Sequence, residues 1–142
     1  MSWPSRLPEG LTSNTFVKFC LIGVVNGIVG FSIILSLLYI FQVNYLVSNS
    51  LGYLGGILTS FLLNKYVNFR SDGRVRFEFP VFIVSFAIAY LANMLVLSFL
   101  VEFVQVKEIV GLILAAGVYT VLFYILSRFI VFKPGSLTAI FR

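Results

Sequence analysis

Apolar residues run along this chain in long stretches, separated by short polar breaks. No charged residue lies between Lys18 and Lys65. A bilayer core of about 30 Å takes roughly 20 helical residues, so this stretch is too long for one span and suits two. Gln42 and Asn44 interrupt it within Phe41-Gln42-Val43-Asn44, which predicts a tight turn between helices over 16–41 and 45–66. The segment Asn68-Phe69-Arg70-Ser71-Asp72-Gly73-Arg74-Val75-Arg76 is strongly polar and reads as a loop. A third span is expected over 79–101, with Pro80 in its first turn, where the missing N–H costs nothing. A polar link from Glu102 to Glu108 leads to a fourth span over 109–132, which Lys133-Pro134-Gly135 stops. The pattern predicts an all-α, polytopic membrane protein: a cytoplasmic tail 1–15, four transmembrane helices within 16–133, and a cytoplasmic tail 134–142.

Composition agrees with lipid as the main solvent. The 142 residues are 60% hydrophobic and 11% charged, against about a quarter charged in soluble domains. The few charges set the orientation. Arg6, Lys18, Lys65, Arg70, Arg74, Arg76, Arg128, Lys133 and Arg142 fall on one side and only Lys107 on the other. The positive-inside rule then places both termini and the middle loop in the cytoplasm, with the chain multi-pass in the inner membrane. The first helix reads as an uncleaved signal-anchor, and Trp3 with residues 1–14 as a segment on the membrane interface.

Much chemistry is excluded. The sequence has no histidine and one cysteine, Cys20, so no internal disulfide, ordinary transition-metal site or histidine acid–base catalysis is expected. Its five carboxylates, Glu9, Asp72, Glu78, Glu102 and Glu108, fall in tails, loops or span ends. Neither an enzyme nor a cofactor is expected, and no nucleic-acid partner.

The ends of the second and fourth spans resemble each other. Phe61-Leu62-Leu63-Asn64-Lys65-Tyr66-Val67-Asn68-Phe69-Arg70 lies against Tyr124-Ile125-Leu126-Ser127-Arg128-Phe129-Ile130-Val131-Phe132-Lys133, and at the same offset Phe16 and Phe19 meet Phe79 and Phe82. Two readings cover this. The chain is a helical hairpin used twice, with both copies in one orientation, or aromatic and cationic residues simply recur at cytoplasmic interfaces. Small residues at four-residue spacing (Gly23/Gly27, Gly52/Gly56/Ser60, Ser85/Ala89, Gly111/Ala115) predict close helix packing in every span.

Candidate functional residues are polar groups in or beside the spans. Asn26, Asn64 and Asn93 are carboxamides that should face protein, since lipid leaves their hydrogen-bonding capacity unmet. They serve interhelical hydrogen bonds or line a polar path for sugar hydroxyls. Lys65 and Arg128 each stand five residues before a second cation, Arg70 or Lys133, with aromatics between. Such cations snorkel and complement helix carboxy-terminal ends. Alternatively, with Lys18 and Arg70, they form a ring that grips a lipid phosphate.

Phe19-x-x-x-Gly23-x-x-Asn26, Phe61-x-x-Asn64-Lys65-x-x-x-Phe69 and Arg128-x-x-x-Phe132 resemble motifs of the GtrA-like membrane proteins, over nearly the whole chain. The departures are Lys65, where arginine is usual, and Val67-Asn68, where Trp-Thr is common. Lysine keeps the charge and loses the planar fork. The resemblance implies translocation of a polyprenyl-phosphate-linked sugar between leaflets for cell-surface polysaccharide synthesis, beside a membrane-associated glycosyltransferase. On that reading phosphate docks at Lys18, Lys65, Arg70 and Arg128, and Asn26, Asn64 and Asn93 line the sugar's route. A homo-oligomer would thicken so thin a wall. Two other readings stay open: a non-transporting subunit that positions a glycosyltransferase, and a small drug or cation exporter. The exporter usually needs an intramembrane carboxylate, which these spans lack.

Overall fold

The computed structural model describes residues 13–133, and among these all regular structure is helical. Trp3 and the segments 1–12 and 134–142 lie outside the described residues. Four helices are each long and apolar enough to cross a membrane. They are α1 (Ser13–Leu35), α2 (Tyr45–Leu63), α3 (Val75–Ser98) and α4 (Glu108–Leu126). Each runs on into one π turn: Ser36–Ile40, Asn64–Asn68, Phe99–Phe103 and Ser127–Val131.

The chain divides into two compact units, 1–64 and 65–142. In the first, α1 and α2 form a hairpin. Its turn is where the polar break predicts it. Gln42 takes a left-handed conformation (φ 51°), and the Val43 N–H donates back to the Leu37 carbonyl at 2.8 Å. The Asn44 side chain then caps α2 by accepting from the Leu46 N–H at 2.8 Å. The helices meet at glycine. A Cβ added to Gly52 would stand 2.8 Å from the Gly30 carbonyl oxygen, and one on Gly56 3.3 Å from that of Asn26. Gly52, Gly56 and Ser60 are buried along this face of α2. Gly23 and Gly27 are not part of the contact: nothing lies within 4 Å of a Cβ at either. On α1 the close approach falls to Gly30.

In the second unit α3 and α4 repeat the design. Ser85, Ala89, Gly111 and Ala115 are buried between them, and a Cβ on Gly111 would lie 3.0 Å from Val101 Cγ2. The helix α3 begins at Val75, four residues before the expected start. Arg74 caps it with its backbone, whose carbonyl accepts from the Phe77 and Glu78 N–H groups at 3.0 and 3.1 Å. Pro80 therefore stands inside the helix and not in its first turn. It deprives the Arg76 carbonyl of an i→i+4 partner.

Duplication is the reading these elements favour. At a single offset of 63, α2 maps onto α4 end for end, the ends of α1 and α3 coincide, and all four π turns pair. Left-handed Gln42 pairs with left-handed Gln105 (φ 57°). The bond from Val43 to Leu37 recurs from Val106 to Leu100. Buried Ser48, Gly52, Ser60 and Phe61 pair with buried Gly111, Ala115, Phe123 and Tyr124. Interfacial enrichment in aromatics and cations predicts none of this at the Gln42 and Gln105 turns, far from the Lys65 and Arg128 ends.

Candidate anion site at the end of the second span

The π turn Asn64–Asn68 carries Lys65 inward, and the loop after it folds over that side chain. Arg70 makes this possible by adopting the left-handed region (φ 50°), and the Ser71 N–H closes onto the Lys65 carbonyl at 2.9 Å. The Lys65 ammonium then donates to the Ser71 carbonyl at 3.0 Å, the Gly73 carbonyl at 2.6 Å and Glu78 Oε2 at 2.5 Å. An ammonium has three N–H donors, and all three are used. Lys65 and Glu78 form an ion pair in which each side chain is 2% exposed. The second carboxylate oxygen accepts from the Ser71 hydroxyl, and that hydroxyl accepts from the Gly73 N–H at 3.2 Å. Gly73 is required here for space, because a Cβ would stand 2.6 Å from Glu78 Cδ.

Beside this pair is an open cleft of about 400 Å³, lined by Lys65, Tyr66, Arg70, Ser71, Asp72 and Gly73. That volume lies within the ~300–1,000 Å³ usual for small-ligand sites. Aromatic rings pack behind the loop. Phe69 stacks on Phe132 with ring centroids 5.2 Å apart and approaches Tyr124 at 6.1 Å. Phe132 meets Phe82 at 6.0 Å, and Phe82 meets Phe123 at 5.0 Å. Arg128, half-buried at the end of α4, donates to the Tyr124 hydroxyl at 2.9 Å and lies over the Phe129 ring.

The expected site residues thus divide. Lys65 and Arg70 share the cleft, and Arg128 joins the same unit through Tyr124 and Phe69. Lys18, exposed, belongs to the first unit. So does Asn64, which is buried and whose amide donates to the Ser60 carbonyl one turn back at 2.9 Å. Asn26 is half-buried, its backbone at the α1–α2 contact. Asn93 is half-buried on α3 and is the counterpart of Gly30 at the offset of 63.

The family model described as "GtrA/DPMS, transmembrane domain" matches residues 18–132. The chain belongs to this family. It is therefore a multi-pass membrane protein, and this member of the GtrA/DPMS family has a buried ion pair at the end of its second span. No curated protein and no solved structure matches it. Glu78, Ser71 and Gly73 are the site residues that the pattern of the chain leaves unmarked. One signal for them was present: Glu78 is the lone glutamate beside a basic loop, where a buried lysine needs a counter-charge.

Proposed function

We propose that this protein translocates a polyprenyl-phosphate-linked sugar between the leaflets of the cytoplasmic membrane, as a carrier and not an enzyme. The reading rests on membership of the GtrA/DPMS family and on one observation above the others. In the second unit Lys65 and Arg70 line one cleft, and Arg128 holds Tyr124 beside the Phe69–Phe132 stack. A lipid phosphate suits such a place, since charge-assisted hydrogen bonds hold its oxygens. The polyprenyl tail stays in lipid, and half-buried Asn93 of the same unit offers hydrogen bonds to sugar hydroxyls in passage. A glycosyltransferase that loads the carrier is the proposed partner, with exposed Arg74 and Arg76 available to it.

The test is leaflet exchange of a labelled polyprenyl-phosphate sugar in liposomes holding purified protein. Arg128→Ala should slow exchange about tenfold or more, the loss of a charged hydrogen-bond partner, in protein that thermal unfolding shows to be still folded. No exchange by folded wild type would instead favour the subunit that positions a glycosyltransferase.

A further inference from the structure

Glu78 occupies a seat that is complete for a two-oxygen anion. One oxygen takes the Lys65 ammonium, and the other takes the Ser71 hydroxyl. A phosphodiester offers the same pattern, two free oxygens sharing one negative charge. The cleft is lined by Lys65 and Ser71, the two residues that hold the carboxylate, and adds Arg70 and Tyr66. The Lys65 ammonium is itself buried, with its three donors taken, so an anion in the cleft reaches it only by displacing one of its acceptors.

We propose that Glu78 is a resident stand-in for the phosphate of a lipid phosphodiester, and that binding is an exchange of the two. The inference rests on the proposed function for why such a lipid arrives. The incoming phosphate takes Lys65 Nζ and Ser71 Oγ, and the Glu78 carboxylate moves to Arg74. Arg74 is exposed and caps α3 with its backbone, and Glu78 lies four residues on, in the first turn of that helix. Replacing one monoanion by another leaves the net charge of the buried seat unchanged. That avoids the large cost of an uncompensated buried ion in the empty and the loaded states alike. An empty carrier without such a stand-in would have to bare Lys65 between cycles.

The experiment uses the full chain in phosphate-free detergent, titrated with a short-chain isoprenyl phosphate sugar. Infrared difference spectra of protein carrying carboxyl-labelled glutamate report the carboxylate, with Glu78→Gln assigning its band. Saturation should shift the Glu78 band, and Glu78→Gln should bind about tenfold tighter, since the competing anion is gone. Lys65→Met/Glu78→Met removes both charges together and should bind at least about tenfold more weakly. Equal affinity in the double variant, or an unshifted Glu78 band at saturation, overturns the proposal. If Glu78→Gln does not fold, the wild-type spectrum and the double variant decide alone. A parallel titration with dihexanoyl phosphatidylglycerol identifies the source: an equal response assigns the seat to bulk lipid, and a response confined to the isoprenyl ester assigns it to the carried lipid. Leaflet exchange is measured on the same preparations. Exchange without Glu78 displacement overturns the stand-in and leaves translocation. Displacement without leaflet exchange overturns translocation and leaves the seat.

Discussion

A lysine withdrawn from water at the end of an apolar helix must find a counter-charge and three acceptors. Lys65 finds all of them within 13 residues of chain. Removing one member of such a pair strands the other, at a cost of about 3–5 kcal/mol, whereas replacing both by apolar groups of similar size is often neutral. Thermal unfolding in detergent should therefore show Lys65→Met strongly destabilised and Lys65→Met/Glu78→Met close to wild type. A single variant as stable as the double would show that the pair is not coupled. The chain marks Lys65 by itself, as a cation closing an uncharged run. It hides Glu78, because the loop length and the left-handed turn at Arg70 that bring the two together have no periodic signature. A late expected start for α3 compounds this, leaving Glu78 in a loop when it belongs to the first turn of a helix.

At the level of elements, helix endings and crossings carry the information. Gln42 and Gln105 hold left-handed conformations that cost a side-chain-bearing residue ~1–2 kcal/mol and glycine very little. Gln42→Gly and Gln105→Gly should each raise stability, by similar amounts of up to about 1 kcal/mol. Unequal shifts in melting temperature would count against equivalent turns. The crossing of α1 and α2 makes a second contrast. A methyl on Gly52 meets the Gly30 carbonyl at 2.8 Å, while one on Gly23 meets nothing within 4 Å. Gly52→Ala should cost roughly 1–3 kcal/mol as an overpacked contact and Gly23→Ala almost nothing, read again by thermal unfolding. The spans were legible from their apolar lengths and polar breaks. Which glycine of α1 makes the crossing was not, because Gly23/Gly27 and Gly30 offer equally small surfaces and only the rotation of the helix chooses.

For the whole molecule, the offset of 63 that joins π turns, left-handed residues and buried positions makes the two hairpins copies of one plan. They differ where charge is concerned. Lys65 corresponds to Arg128, but Glu78 corresponds to Thr15, so only one copy supplies a carboxylate. Function at this scale follows from what distinguishes the copies and not from what they share.

The ion pair also has an order in time. Ribosomes deliver Lys65 before Glu78, and at ~5–20 residues per second the interval is about a second. Through that interval the nascent first hairpin has its lysine without a counter-ion, next to Arg70, Arg74 and Arg76 as they emerge. By the positive-inside rule, a lysine still in water and the guanidinium groups alongside favour keeping the loop on its own side of the bilayer while α1 and α2 insert. Once Glu78 emerges, the lysine can leave water. The same side chain thus works first as an address for the nascent protein and afterwards as part of the folded one.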